Sequence, residues 1–383
     1  MKLINDIKTL EDVVKTLSKS DFVTVDTEFI RESTYWPELC LIQLASPEIA
    51  VIVDPLAPDI NLEPLCKLME NKNVVKVFHA ARQDVEIIYK LGDIIPTPLF
   101  DTQIAGSVCG FGESISYEQI VERITGEHID KSSRYTDWSL RPLSEKQLSY
   151  ALADVTYLRD VYLYLKKQLE KNGRTHWIDD EMSILTSTKT YDMPNEDAWK
   201  RIKGRIRKPR ELAVLQKIAA WREQEAKSRN VPRGRILKDE GLIEIATQQP
   251  KDETALSRLR SIPKGWERSA SAEELLKAVK AGLEVDLASL PPIHKHVAPN
   301  NGTAAAIELL RVLLKLVADE EGIAPRIIAN NDDLEKIAKQ EKKSDIMALT
   351  GWRYKLFGEK AEKMLNGRLG FYFQNGKILT KEL

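Results

Sequence analysis

A chain of 383 residues, 43% hydrophobic and 30% charged, exceeds the usual reach of one core, so two or three domains are expected. Its 57 Lys and Arg nearly cancel 58 Asp and Glu, and the net charge of -1 excludes a uniformly basic or acidic polyelectrolyte. Cys40, Cys66 and Cys109 form no CxxC pair, which argues against a zinc site or disulfide framework, and no run of about 18 apolar residues suits a membrane span.

Charge interrupts the N-terminus at Lys2 and Asp6, too early for a signal peptide, so a soluble cytoplasmic protein with no membrane partner is expected. Strand-like runs follow at Phe22 to Phe29, Leu39 to Ala45, Ala50 to Asp54 and Val74 to Phe78. Between the last two, Leu62, Leu65, Leu68 and Met69 have helical spacing. Val85, Ile88 and Tyr89 predict a helix, and Leu148, Leu152, Val155 and Leu158 predict another, started by a Ser144–Gln147 capping box. Three antiparallel strands, a crossover helix and further parallel pairing describe a mixed α/β sheet of ribonuclease-H type.

Beyond residue 190 the composition shifts. Residues 1–190 carry 21 basic and 30 acidic side chains, and the remainder carries 36 and 28. An acidic front and a basic back suit capture of a polyanion by the back half. A basic run from Lys200 to Arg210 marks one boundary, where phosphate binding and a solvated linker compete as readings. The turn-rich stretch from Leu290 to Gly302 marks a second. The flanked segments 209–285 and 303–383 read as helical throughout. They resemble each other: adding 92 to Val231, Ile236, Leu242, Ile245 and Ala246 reaches Ile323, Ile328, Leu334, Ile337 and Ala338.

The chemistry is concentrated in the front segment. Strand alternation puts Asp26 and Glu28 on one side of their sheet, and helical spacing puts Tyr150 and Asp154 on one face. Asp84 follows the fourth strand. If the four carboxylates converge, each close pair repels by up to about 4 kcal/mol at about 4 Å and an effective dielectric of about 20. Divalent cations relieve such repulsion, and oxygen ligands without His or Cys favour Mg²⁺ or Mn²⁺ over zinc. Two ions about 4 Å apart suit in-line phosphoryl displacement. Tyr150, one turn before Asp154, is placed to aim a water; its other reading is a buried aromatic.

Three motifs carry a family resemblance. Asp-Thr-Glu-Phe at 26–29, His-Ala-Ala-Arg-Gln-Asp at 79–84 and Tyr-Ala-Leu-Ala-Asp at 150–154 resemble those of the DEDD exonucleases with Tyr before the last Asp. Phe100 to Gln103 and Asp137 to Leu143 look like the ribonuclease D branch, and the helical repeats look like helicase-and-ribonuclease-D C-terminal (HRDC) domains. The resemblance implies a catalytic domain over 1–190 followed by two small all-α HRDC-type domains, 209–285 and 303–383. It also implies hydrolytic 3'-5' trimming of RNA, tRNA precursors with 3' extensions foremost, with release of 5'-mononucleotides.

Carried over by position, Asp26, Glu28 and Asp154 hold the nucleophile-side ion, and Asp26 with Asp84 holds the other. Thr27, Phe29 and His79 are candidates to touch the terminal nucleotide, with core packing as the rival reading for Phe29 and a structural role as the rival for His79. Trp138 and Arg141 either meet RNA or pack their loop. Asp101 and Thr102 read as helix caps. Trp352, Arg353 and Tyr354 interleave basic and aromatic character in the last unit. Because the site ends at Asp154, the catalytic domain is expected to fold without the helical units. A DNA 3'-5' exonuclease and a noncatalytic RNA-binding protein on a nuclease fold remain rival readings.

Overall fold

The computed structural model describes residues 3–292 and 301–383. Most of the turn-rich boundary at 290–302 therefore lies outside the described residues. The chain opens with β1 (Leu3–Ile4) and α1 (Ile7–Leu17), then β2 (Phe22–Ile30), β3 (Glu38–Ala45), β4 (Ala50–Val53), α2 (Glu63–Glu70), β5 (Val75–Phe78), α3 (Arg82–Gly92) and β6 (Leu99–Asp101). Short helices α4 (Thr102–Val108) and α5 (Tyr117–Thr125) lead to the long α6 (Glu145–Lys171) and to α7 (Asp179–Leu185). The six strands form one sheet in the order β1-β4-β3-β2-β5-β6. β3 pairs antiparallel with both β2 and β4, whereas β2–β5, β5–β6 and β1–β4 are parallel. This is the mixed ribonuclease-H-like sheet expected from the strand pattern. β1, α1 and β6 were not anticipated.

The central strand β2 is where two functional requirements meet. Its Phe22, Val23 and Val25 are buried in the core, while Asp26 and Glu28 emerge further along, opposite Gln43 and Leu41 of β3. The register slips between Glu28 and Phe29, so a bulge turns the strand immediately after its second carboxylate. The helix α6 crosses this end of the sheet. Its Ser144 capping box fixes where the helix begins, and Thr24 Oγ1 donates to the Val155 carbonyl at 2.8 Å, pinning strand to helix beside Asp154.

Behind the sheet come α8 (Pro209–Ser228), α9 (Arg233–Ile236), α10 (Asp239–Gln248), α11 (Glu253–Leu256) and α12 (Ala270–Glu284). Then α13 (Asn301–Glu321), α14 (Pro325–Ile328) and α15 (Asn331–Ala338) begin 92 residues after α8, α9 and α10. The repeat seen in the sequence is thus a repeat of helices. The last unit continues through α16 (Gly351–Arg353), a π turn and α17 (Glu359–Leu365). It is not helical throughout: β7 (Leu369–Gln374) and β8 (Lys377–Glu382) close the chain as an antiparallel hairpin around Asn375-Gly376, both at positive φ.

The two helical units differ in how they are attached. The first has its own core, in which Leu242, Ile245 and Val279 are buried. Ala198 belongs to that core, and Ile202 and Ile206 pack against it, so the basic run at 200–210 is not a free linker. Arg210 is committed as well, donating to the carbonyls of Leu283 and Val285 at the end of α12.

The last unit shares one continuous core with the catalytic sheet, from Val108 and Trp177 through Leu313, Ile327 and Phe357. At this contact Gly110, at φ +87, lies so close to Gly322 that a Cβ would meet its carbonyl at 2.9 Å. Arg353 is 2% exposed and bonds Asp180 and the Ile327 carbonyl, and Trp352 stacks on Trp177 at 4.2 Å. These side chains therefore serve an internal contact rather than an RNA face. The expectation that the catalytic domain folds alone is corrected for the same reason: truncation would strip one side of its core.

Leu313→Ala should consequently destabilise the catalytic sheet, by about 2–5 kcal/mol for a fully buried leucine. Urea unfolding followed by fluorescence at the stacked tryptophans and by far-ultraviolet circular dichroism should shift together. A shift at the tryptophans that leaves the midpoint of the other probe at its wild-type value would contradict a shared core.

Candidate active site

Three elements bring the carboxylates together. Asp26 and Glu28 come from β2 and Asp154 from α6, and one oxygen of each lies within 4.8 Å of the others. Asp84, on the first turn of α3, is outside that triplet but stands beside it, buried, with its charge raising the proton affinity of Glu28. Thr27 fixes it by donating from Oγ1 to Asp84 Oδ1 at 2.6 Å. Four carboxylates therefore converge, three within reach of one ion and the fourth buried beside them. Asp26, Glu28 and Asp154 line a cleft of about 840 Å³, together with Phe29, His79, Arg134, Tyr135 and Tyr150.

The electrostatics of this cluster are those of a site built around positive charge. Burial first, and then Asp154, push the Asp26 carboxyl well above its ordinary range. Burial and the neighbouring Asp26, Asp154 and Asp84 push Glu28 up to about 10. Burial and Asp26 likewise raise Asp84, against the hydrogen bond from Thr27. Burial carries Asp154 to about 7, opposed by the hydrogen bond from Tyr150 and the charge of Arg134. The Tyr150 phenol is itself raised, by burial and then by Asp154, and stays a neutral donor. A hard divalent cation fits this all-oxygen donor set and would relieve the repulsion that makes the carboxyls hold protons.

The turn that delivers Asp84 depends on residues behind it. Ala80 adopts φ +59, a conformation costly for a residue with a Cβ. Asp101 compensates by accepting from Ala80 N and Ala81 N at 3.1 and 2.8 Å, while also capping α4 through Gln103 N and Ile104 N. Its capping role is as expected; its grip on the 79–84 turn was not. Thr102 Oγ1 reaches the Phe78 carbonyl at 3.0 Å and lies 3.0 Å from His79 Nδ1. His79 Nε2 meets the Ile115 carbonyl at 3.1 Å, so both ring nitrogens are engaged although the ring lines the cleft. Burial lowers the proton affinity of that ring and keeps it neutral.

The remaining substrate candidates separate. Phe29 faces the cleft and is partly exposed. Thr27 is buried and spent on Asp84. Trp138 is 3% exposed and packs in a cluster with Leu41, Ile52 and Ala151, its ring 6.1 Å from that of Tyr150. Arg141 grips both oxygens of Asp54 at 2.7 Å and the carbonyls of Cys40, Trp138 and Leu140. Every guanidinium nitrogen is used, so of the two readings of Arg141, RNA contact and loop packing, its bonds match the second, a clamp that holds the Trp138 loop to Asp54 and Cys40. Sequence reasoning missed Arg134, whose charge lowers Glu28, Asp154 and Tyr150 alike, and Tyr135, which is 90% exposed at the rim. Their signal was position alone, just before the Asp137-Trp138 motif.

A mixed sheet with carboxylates at the β2 bulge and a Tyr–Asp pair on a crossing helix carries the donor set of a metal-dependent phosphodiester hydrolase. The 3'-5' exonuclease family model matches residues 1–170, and the HRDC domain model matches 211–279. The chain is similar to the ribonuclease D of Bartonella henselae, 66% identical over 383 residues that cover 100% of this chain and 94% of that protein. The ribonuclease D of Nitrobacter hamburgensis is 49% identical, with 100% of both chains covered. Among solved structures, Escherichia coli RNase D superposes with a TM-score of 0.84 at 27% identity, over 96% of this chain and 98% of that one. The chain belongs to the ribonuclease D family, and it is an exoribonuclease.

The raised carboxyls fix the sign of a pH effect on the metal-free protein. A carboxyl that holds its proton more tightly when folded contributes most below its unfolded value and loses that contribution as pH rises through its folded one. For Asp154 that window runs from 3.8 to about 7, and Glu28 extends it toward about 10. Thermal unfolding in chelator should therefore fall steadily from acid to alkaline pH across this range. Added Mg²⁺ or Mn²⁺ should restore the alkaline loss, and a melting temperature insensitive to both would contradict the assignment.

Proposed function

We propose that this exoribonuclease trims the single-stranded 3' ends of structured RNAs, tRNA precursors with 3' extensions among them, releasing one 5'-mononucleotide per step with Mg²⁺ or Mn²⁺. The observation that carries the reading is the convergence of Asp26, Glu28 and Asp154 beside the neutral Tyr150 phenol. The similar Escherichia coli protein is described as an exoribonuclease involved in structured RNA processing, which supports the substrate class.

Asp26, Glu28 and Asp154 are suited to hold one cation, and Asp26 with Asp84 to hold a second. Cations bound there would supply an activated water and neutralise charge on the phosphoryl group. The chain's own contribution is orientation. Tyr150 stays protonated and donates to Asp154 in the metal-free site; with that carboxylate engaged by a cation, the single O–H would be released to orient a water toward the scissile phosphorus. Arg134, which lines the cleft and whose charge reaches Glu28, Tyr150 and Asp154, is placed to meet negative charge on the phosphate. Thr27 keeps Asp84 from rotating away, and Phe29 offers an aromatic surface beside the cleft for the terminal base.

The back of the chain fits capture. Residues 211–279 match HRDC, and we read 303–383 as a second, diverged copy on the strength of the shared helix spacing. The three free cysteines suit the reducing cytoplasm expected from the sequence.

Asp154→Asn and Asp26→Asn should each remove most activity, by roughly 10²-fold or more, while leaving the fold intact, since each removes charge rather than core volume. Tyr150→Phe should lower kcat by about 10² with RNA affinity preserved. Stepwise shortening of a 5'-labelled, 3'-extended tRNA, measured beside a matched DNA oligonucleotide, provides the readout. Wild-type turnover by Asp154→Asn would remove the carboxylate assignment, and equal shortening of DNA would favour the DNA exonuclease.

A further inference from the structure

A second cavity, of about 310 Å³, lies in the seam between the catalytic domain and the first helical unit. Five cations from separate stretches of chain line it: Arg31 after β2, Arg82 opening α3, Arg201 before α8, Lys227 in α8 and Arg233 in α9. Only Glu86 and Glu223 face them there. Arg31 is paired with Glu86 at 2.6 Å, and Arg233 holds Glu223 at 2.6 and 2.7 Å. Lys227 donates to the neutral Asn195 at 2.8 Å. Arg82 and Arg201 have no carboxylate partner among the described residues.

The seam is a fixed structure. Asn230 Oδ1 accepts from Tyr35 N and Trp36 N, each at 3.2 Å, and Tyr35 donates to Glu223 while receiving Arg233 at 2.8 Å. These bonds tie the β2–β3 loop to the corner between α8 and α9. They account for Arg233 and Glu223, and the Arg31–Glu86 pair accounts for two more charges. They leave an excess of positive charge in a concavity, which is unfavourable unless an anion enters. The seam is also continuous with the active site, because Arg31 lines both cavities. A strand with its 3' end at Asp26 and Asp154 that leads past Arg31 arrives here.

We propose that this seam is a phosphate-binding site for the RNA strand upstream of its cleaved end, with Arg82 and Arg201 as the phosphate-gripping side chains. Planar guanidinium groups suit bidentate phosphate recognition, and neither has to break an ion pair to provide it. The assignment rests on the exoribonuclease reading and adds to it the path of the strand. It also gives the first helical unit a specific task, holding substrate through a groove that it shares with the catalytic domain. A released 5'-mononucleotide presents the same phosphate chemistry, but only a strand would make the site's effect depend on RNA length.

The test compares full-length wild type with the Arg82→Ala/Arg201→Ala double variant on a trinucleotide and on an RNA hairpin with a long single-stranded 3' tail, over a salt series. For the tailed RNA, KM should rise about tenfold and the salt dependence should flatten by about 0.7 per lost contact. Trinucleotide KM and both kcat values should stay at wild-type levels. Arg82→Lys/Arg201→Lys, which keeps the charges, should recover the salt dependence. Unchanged KM and salt slope on tailed RNA would overturn the proposal, as would equal losses on both substrates. A change confined to inhibition by AMP would also overturn it, because the site would then take product. Wild-type turnover of the trinucleotide checks the exoribonuclease reading separately.

Discussion

Like charges held in a buried place are the constraint on which the rest of this structure depends. Three carboxylate oxygens within 4.8 Å, with Asp84 behind them, form an arrangement that opposes folding unless strand, helix and turn leave no alternative. The β2 bulge, the Thr24–Val155 bond, the Thr27–Asp84 bond and the double role of Asp101 are the local means of leaving none. Together they join β2 to α6 and α3, and β6 to the turn before α3, so the cluster is as rigid as the packing among these elements. That rigidity makes the cluster useful, because donors that need not reorganise stabilise charge at the moment it develops.

The supporting structure reaches far from the chemistry. The last helical unit shares the sheet's core, through Leu313, Phe357 and the Trp177–Trp352 stack, and so acts as part of the catalytic body. The first unit has its own core and meets the catalytic domain through polar bonds around Tyr35, Asn230 and Arg233. One repeated module thus serves two purposes. One copy is held by apolar burial and stabilises; the other is held by a charged seam beside the substrate cleft.

Much of this was legible in the sequence because it rests on local periodicity. The strands β2 to β5, the Ser144 capping box, the four carboxylates and Tyr150 follow from alternation, helical spacing and motif. The 92-residue repeat also emerged as matching helices. What stayed hidden depends on distant partners. Arg141 looks like a substrate arginine until Asp54 is seen to occupy it, and Arg353 looks exposed until Asp180 does the same. The Lys200–Arg210 run reads as either a phosphate-binding stretch or a solvated linker, and Ile202, Ile206 and Arg210, which tie it to the first helical core, remove the linker reading. The two-residue β1 and the three-residue β6 are too short to carry a clear period, whereas the closing hairpin does carry a signal, Asn375-Gly376 between two six-residue runs, that the reading of 303–383 as helical throughout passed over.

The central claim is that the carboxylates hold protons because a cation is their intended partner. Cation binding must then displace those protons. The direct measurement is calorimetric titration of metal-free protein with Mn²⁺ near neutral pH in buffers of different ionisation enthalpy, which counts protons released per ion bound. The account predicts net proton release that disappears with Asp26→Asn/Asp154→Asn. Mn²⁺ binding without proton release, or equal binding and release by that double variant, would contradict it.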